Sequence, residues 1–420
     1  MLSVSPLLAP VVFTTALCAC LLGTAFRLDA GATDPVPGHD ALGPADDYDA
    51  DRGYGWVGDT TPAAVAGGGD DPPRDSAVTA ADPFWLSLAV PEGTYRVTVV
   101  LGDGATPTRT TVKAESRRLC LERVATAPGA FRTASFTVDV RTPDLPDGGR
   151  VDLNEREEGT LHWDDRLTLE FSGTRPSVAA VEVEPAPAAT TVFLAGDSTV
   201  TDQTATPWSS WGQMLPRFFD ASVAVANHAE SGRTVRSFVA ERRWAKVASQ
   251  LDDGDYLLAQ FGHNDMKNGD PSETGYVDGL ADFVGSARDR GATPVLVTPP
   301  HRRRFTDGTV ENTLRDYPDA VRDLADERDV ALVDLHAASE PLYEALGPDG
   351  SGAAVVDGTH HTAYGGYHLA RCVVRGIRRA DLDLADALRG DVGRYDPADP
   401  HPTPAEWRLP DVTPDPHLPE

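Results

Sequence analysis

The stretch "TVFLAGDSTVTDQ", Thr191 to Gln203, decides how the second half of the chain is read. Val192, Phe193, Leu194 and Ala195 form a short apolar run of the kind buried on both faces of a parallel sheet. It ends abruptly in Gly196-Asp197-Ser198-Thr199. Gly, Asp and Ser are ordinary turn formers, so a turn or a helix cap explains them in isolation. The surroundings separate a plain turn from a site. Four more apolar runs follow: "SVAVAN", "YLLAQF", "TPVLVT" and "VALVDL". Between them lie helical patterns near Ser209–Phe219, Ser237–Leu251, Tyr276–Arg290 and Thr313–Arg328, and another through "YGGYHLARCVVRGIRRA" after His361. The alternation predicts an α/β domain over residues 191–390, built on a doubly wound parallel sheet. In such sheets function gathers at the carboxyl ends of the strands. Ser198 stands at one of them.

Upstream the rhythm is different. "FWLSLAV", "TYRVTVVLG", "RTTVKAE", "ASFTVDVRT", "RLTLEFSG" and "VAAVEVEP" alternate apolar and polar residues with the period of half-buried strands. They predict an all-β, jelly-roll-type sandwich over residues 26–185, joined through a linker at 186–190. A Pro/Asp-rich tail, 391–420, reads as irregular and draped over the surface. The first 25 residues carry no Asp, Glu, Lys or Arg, and Leu7 to Phe26 is long enough for one bilayer crossing. This segment reads as a secretion leader or an uncleaved anchor, although no basic residue precedes it. Cys20 sits in a faint lipoprotein-type box. Either way the expected location is secreted or at the cell surface.

Composition excludes some functions. The 420 residues hold 65 Asp+Glu against 37 Lys+Arg, a formal charge of -28, which argues against nucleic-acid binding. Lys113, Lys246 and Lys267 are the only lysines. An acidic, lysine-poor surface fits a salt-rich setting or serves solubility alone. Outside the leader, Cys120 and Cys372 lack metal-type spacing and read as two buried free thiols. No metal or cofactor is indicated, and the oligomeric state is left open.

Three further polar clusters fall at strand ends: "NHAESGRTVRS" with Gly232, "FGHND" with Asn264, and "DGTHHT" with Asp357 and His360. A serine hydroxyl is a weak nucleophile until a base takes its proton. His360 is the candidate base. Asp357, three residues earlier, is placed to fix its tautomer. Acyl transfer also needs donors for an oxyanion, and the Ser198 and Gly232 N–H groups with the Asn264 amide are of that kind.

These four blocks resemble the GDSL, or SGNH, hydrolase family over about Thr191 to Ala380. The resemblance implies a flavodoxin-like three-layer α/β/α fold, Ser198 as nucleophile, His360 as base, Asp357 as its partner, and an oxyanion hole from Ser198, Gly232 and Asn264. Within that family "GDSTV", "SGRTVRSF", "QFGHND", "TPPHRRRF" and "DGTHHTAYGG" are similar to rhamnogalacturonan acetylesterases. "RGYGW", "GTYRVTVVLGD" and "WDDRLTLEFSGTRPSVAAVEV" resemble the galactose-binding-like β-domain that some of these carry. The implied reaction is removal of O-acetyl groups from an acetylated pectic polysaccharide through an acetyl-enzyme. Alternatives are an SGNH esterase for acetylxylan, a surface glycan or a lipid ester, and a non-catalytic carbohydrate-binding surface protein.

Asp197, Arg233, His263, Arg303 and Arg304 are candidates for substrate contact, the arginines because guanidinium groups suit an anionic backbone. The plain alternative for "HRRR" is a solvated face or ion-pair partners. His361 and His368 compete with His360 as ordinary structural histidines, and Asp265 is expected to cap a loop. Trp208 and Trp211 are expected to pack a helix, with sugar stacking as the alternative. Trp56, Trp85 and Trp163 are expected in the core of the β-half, with a sugar platform as the alternative.

Overall fold

The computed structural model describes residues 26–32, 34–66, 74–409 and 416; the apolar leader lies outside them. The N-terminal half is a β-sandwich. One sheet runs, edge to edge, Phe131–Val140, Gly93–Gly102, Ala180–Pro185, Phe26–Ala30 and Asp40–Leu42. The facing sheet runs Tyr54–Val57, Phe84–Ala89, Arg166–Thr174, Thr108–Ala114 and Arg118–Thr126. Side-chain alternation explains the packing. Along Gly93–Gly102, Tyr95, Val97, Val99 and Leu101 enter the core, while Arg96 and Thr98 between them do not. From the other sheet Phe84 stacks on Phe171 at 5.2 Å, with Trp56 edge-on to Phe84 at 5.5 Å.

The C-terminal half is the expected parallel sheet. Its strands are β1 (Thr190–Gly196), β2 (Val223–Asn227), β3 (Tyr256–Gln260), β4 (Thr293–Val297) and β5 (Ala331–Val333). They lie in the order β2-β1-β3-β4-β5, every pairing parallel, as in flavodoxin-like folds. The helices are α1 (Trp211–Met214), α2 (Val235–Ala240), α3 (Arg243–Gln250), α4 (Tyr276–Arg288), α5 (Tyr317–Arg328), α6 (Leu335–Gly350) and α7 (Ala363–Arg379). Alternate strand residues feed two cores. Val192, Leu194, Val225, Leu258 and Val297 pack with α1, α6 and α7. Phe193, Ala195, Ala226, Leu257 and Leu296 pack with α2 to α5. The result is a three-layer α/β/α sandwich.

The helical pattern expected over Ser237–Leu251 is two helices, because Arg242 takes φ 63° between α2 and α3. The Ser209–Phe219 pattern shrinks to α1 and a 3₁₀ turn, Leu215–Phe218. Helix α6 was not foreseen, since Pro341 and Pro348 lie inside it; the chain leaves helical geometry at Gly347. The described part of the tail, 391–409, has no helix or strand and lies against α7. There Trp407 meets Tyr364 and Tyr367 edge-on, and the Pro402 carbonyl lies 3.0 Å from His368 Nε2.

The halves are joined by more than the 186–190 segment. Leu119 of the β-half belongs to the α/β core. Arg118 donates to Asp202 at 2.7 Å, and Arg243 of α3 grips Glu157 at 2.5 and 2.7 Å. These four side chains are at most 3% exposed. Fully desolvated pairs of this kind depend strongly on both partners being present.

Candidate active site

Each loop of the site leaves the carboxyl end of a strand or precedes a helix. Ser198 follows β1 and is buried. The turn that holds it is fixed by Asp197, whose Oδ1 accepts from the Thr199 N–H at 3.0 Å and the Thr199 hydroxyl at 2.9 Å. His360 lies on the loop before α7, which starts where the Thr362 side chain caps the Gly365 N–H. Close packing fixes this helix: a Cβ on Gly366 would sit 2.6 Å from the Ser210 carbonyl oxygen.

The structure brings Ser198, His360 and Asp357 together. His360 Nε2 is 3.0 Å from Ser198 Oγ, and His360 Nδ1 is 2.8 Å from Asp357 Oδ2. Asp357 Oδ1 also accepts from the N–H groups of Thr359 and His360 at 3.1 and 3.0 Å. Partial burial opposes ionisation of Asp357, but the His360 backbone and side chain and the Thr359 N–H outweigh it and bring the carboxyl down to about 2. It is therefore a carboxylate throughout the neutral and mildly acidic range. With Nδ1–H directed at that carboxylate, Nε2 carries the lone pair that faces the serine.

The neighbouring histidines are held otherwise. His361 is fully buried with Nε2 2.7 Å from the Tyr343 hydroxyl, and burial pushes it down to about 3. His368 contacts the Tyr395 hydroxyl at 2.8 Å and is likewise pushed to about 3 by burial. Neither faces Ser198.

Gly232 takes φ +82°, a conformation that favours glycine. The Ser198 and Gly232 N–H groups donate to no group of the described residues. Asn264 Nδ2 donates to the Arg233 carbonyl at 3.2 Å, and Lys267 Nζ donates to Asn264 Oδ1 at 2.8 Å. This fastens the amide beside the backbone that follows Gly232 and leaves its second N–H available. Asp265 accepts from the Val235 N–H at 3.0 Å at the start of α2; burial raises its carboxyl to about 7.

The substrate-contact candidates are not gathered here. Asp197 and His263 are 0% and 2% exposed and pack as a buried pair, out of reach of a polysaccharide. Arg233 is taken by Glu241 at 2.5 Å. Arg303 donates to Ser351 Oγ and the Pro348 carbonyl, and Arg304 pairs with Glu311 at 3.4 Å. That run instead braces the Asp357–His360 loop: the Arg303 N–H donates to the Gly358 carbonyl at 2.8 Å, and Arg302 Nε to Thr359 Oγ1 at 3.0 Å. Trp211 packs a helix and is fully buried, whereas Trp208 lines the cavity beside His360. Trp56 and Trp163 are buried in the β-half and Trp85 is half-buried. The burial of Trp56 and Trp163 leaves no exposed platform at those two positions.

A cavity of about 300 Å³ opens at Asp357 and His360. One wall is the segment Thr201–Ala205 with Trp208. Arg117 of the β-half clamps that segment, donating from Nη2 to the carbonyls of Gln203, Ala205 and Trp208. Gln203 in turn donates from Nε2 to the Ser198 carbonyl at 2.8 Å. Sequence reading missed this clamp, because nothing in "ESRRLC" distinguishes an inward arginine from a surface one. No group of His, Cys, Asp and Glu among the described residues is arranged to hold a metal ion. Cys120 and Cys372 are buried free thiols, each pushed by burial to about 12. No helix among the described residues is long and apolar enough to cross a membrane.

Comparison with known proteins adds the following. Residues 194–369 match the GDSL-like Lipase/Acylhydrolase family. The chain is 41% identical over 222 residues to rhamnogalacturonan acetylesterase RhgT of Bacillus subtilis (strain 168), covering 48% of this chain and 96% of RhgT. It is 25% identical over 370 residues to the uncharacterized esterase YxiM of the same strain, covering 85% of this chain and 91% of YxiM. The crystal structure of YxiM is 26% identical, covering 86% of this chain and 99% of that one, with a TM-score of 0.46.

Proposed function

The chain belongs to the GDSL-like lipase/acylhydrolase family, homologous to rhamnogalacturonan acetylesterases, and from that premise we propose that it is a serine esterase removing O-acetyl groups from a pectic polysaccharide of the rhamnogalacturonan type. One observation carries the mechanism: the Ser198 hydroxyl, the His360 imidazole and the Asp357 carboxylate form a continuous hydrogen-bonded relay. Ser198 Oγ attacks the acetyl carbonyl carbon while its proton passes to His360 Nε2. Asp357 stabilises the imidazolium that results. The tetrahedral oxyanion is met by the N–H groups of Ser198 and Gly232 and the free N–H of Asn264. Collapse breaks the bond to the sugar oxygen, which leaves with the proton from His360. Water, deprotonated by His360, then hydrolyses the acetyl-Ser198 ester and acetate departs. The relay needs no metal and no cofactor. The identity of RhgT supports the pectic substrate, and the apolar leader supports work outside the cytoplasm.

The experiment is acetate release from acetylated rhamnogalacturonan, acetylxylan and p-nitrophenyl acetate, with octanoate as a chain-length control. Ser198→Ala should lower kcat on every substrate by at least about 10⁴ and abolish fluorophosphonate labelling. Labelling that persists in Ser198→Ala, or full activity of that variant, would remove the mechanism. Faster release from acetylxylan or from octanoate would move the substrate while leaving the relay standing. Asn264→Ala should cost about 10²–10³ in kcat, and a loss under about threefold would take it out of the oxyanion role.

A further inference from the structure

The cavity at His360 has a wall that the α/β half does not supply. Arg156, Glu157 and His162 of the β-half line it. They belong to the segment between the strands Phe131–Val140 and Arg166–Thr174, which has little regular structure yet is firmly held. Glu157 is its hub. It accepts from Arg243 Nη1 and Nη2, from the Asn154 N–H at 3.0 Å and Nδ2 at 2.6 Å, and from Trp163 Nε1 at 3.1 Å. The Asp152 N–H donates to the Glu241 carbonyl at 3.0 Å, so the segment is also tied to the end of α2. Six hydrogen bonds thus fix the backbone on both sides of Arg156.

Arg156 itself is not consumed. Its N–H donates to Asn154 Oδ1 at 2.9 Å, while its side chain is 70% exposed with Nη2 3.8 Å from Glu230 Oε1. It is the one arginine or lysine among the cavity's lining residues. The lining carboxylates do not cancel its charge. Glu157 is held by Arg243, Asp202 by Arg118 and Asp357 by His360. Glu230 is the remaining one. Burial, and next the nearby Glu157, raise its carboxyl to about 7, so near neutrality it is only partly ionised, and it stands 3.8 Å from the guanidinium. His162 lies beneath, its Nδ1 2.6 Å from Ser116 Oγ, and burial holds it neutral.

We propose that Arg156 is a substrate-contact residue lent by the β-half, its guanidinium pairing with the carboxylate of a uronic-acid unit next to the acetylated sugar, so that both halves share one binding cleft. The inference deepens the proposed function and rests on it. Guanidinium matches carboxylate geometry with two parallel N–H donors, and the pair gains strength as a bound glycan displaces water. The contact is an addition relative to RhgT: 96% of RhgT aligns with 48% of this chain, which leaves no length for a β-half of this size.

The test is steady-state kinetics of acetate release by the full chain on three substrates: acetylated rhamnogalacturonan oligosaccharides, the same oligosaccharides with their carboxyl groups reduced to alcohols, and p-nitrophenyl acetate. Arg156→Ala should raise KM on the intact oligosaccharides about tenfold with kcat within about twofold. It should leave the reduced oligosaccharides and p-nitrophenyl acetate unchanged. Arg156→Lys should recover most of the loss, and Arg156→Glu should favour the reduced substrate over the intact one. Equal effects on intact and reduced oligosaccharides, or no effect on either, would overturn the inference. If the wild-type chain hydrolyses p-nitrophenyl acetate yet releases no acetate from either oligosaccharide, the proposed substrate falls with it. If it deacetylates both and ignores position 156, only the Arg156 contact falls.

Discussion

Two aspartate–histidine pairs flank Ser198, Asp197–His263 on one side and Asp357–His360 on the other. Their separations are 3.4 and 2.8 Å. The residue types are the same and the surroundings are opposite. Asp197 and His263 are almost wholly buried. Burial opposes the charge on Asp197, but His263 and the Thr199 donors outweigh it and lower its carboxyl. The far nitrogen of His263 meets the Pro300 carbonyl at 3.1 Å, and the His263 backbone N–H donates to Asp197 Oδ2 at 3.3 Å, so the ring is held inside the protein. His360 is 34% exposed and its far nitrogen meets the serine hydroxyl. One pair lies under the Ser198 turn, and the other keeps a ring nitrogen against the serine hydroxyl, as the proposed proton transfer requires. Burial and the partner of the second nitrogen, not the pair itself, decide which task an imidazole takes.

The contrast can be broken or sharpened by substitution. The largest effect belongs to His360→Ala, which should lower kcat on p-nitrophenyl acetate about 10⁴-fold while urea unfolding shifts by less than about 1 kcal/mol. A variant that unfolds more easily and keeps its kcat would exchange the two roles. Asp197→Ala should do the reverse. It strips acceptors from the Thr199 N–H, the Thr199 hydroxyl and the His263 N–H, and should cost about 2–4 kcal/mol of stability. Below its unfolding transition it should retain far more kcat than His360→Ala. Stability within about 0.5 kcal/mol of the parent would deny that pair a structural role.

The smallest effect is a slope. His361 is neutral in the folded chain, with its imidazole lowered to about 3 from the usual 6.5, while the unfolded chain protonates it below 6.5. Its stabilising contribution is therefore complete above pH 6.5 and is lost as pH falls toward 3. The loss amounts to about 1.4 kcal/mol per pH unit. Replacing His361 with Gln, which can still reach the Tyr343 hydroxyl, should remove that share of the acid sensitivity in denaturant titrations between pH 6.5 and 5. An unchanged slope would mean that His361 reaches water.

Much of the α/β half can be read from the chain itself. Its strands are apolar runs bounded by turns, and the Asp357–His360 pair is local, so three-residue spacing suffices to find it. The α6 helix escaped because its prolines argue against helix locally, while packing of Leu335, Leu342 and Tyr343 into the core supports it. Asp197 and His263 were candidates for contact, whereas their burial comes from residues 66 positions apart closing on each other. Trp208 and Trp211, three apart, went to opposite fates for a similar reason: only the assembled loop shows which ring faces the cavity. Arg117, Arg118 and Arg156 carried no signal at all. Their partners lie 74 to 91 residues away across the seam, beyond any periodicity or motif.

The Arg118–Asp202 contact has a consequence for the architecture as heritable material. Excising the N-terminal half would strand Asp202, a carboxylate with no exposed surface, beside Asn227 and the vacated seat of Leu119. Deleting the front module should therefore cost the remaining half stability, through the lost ion pair and the opened core. Loss of the module would have to be accompanied by replacement of that carboxylate, so the two halves should be inherited, exchanged and engineered as one piece.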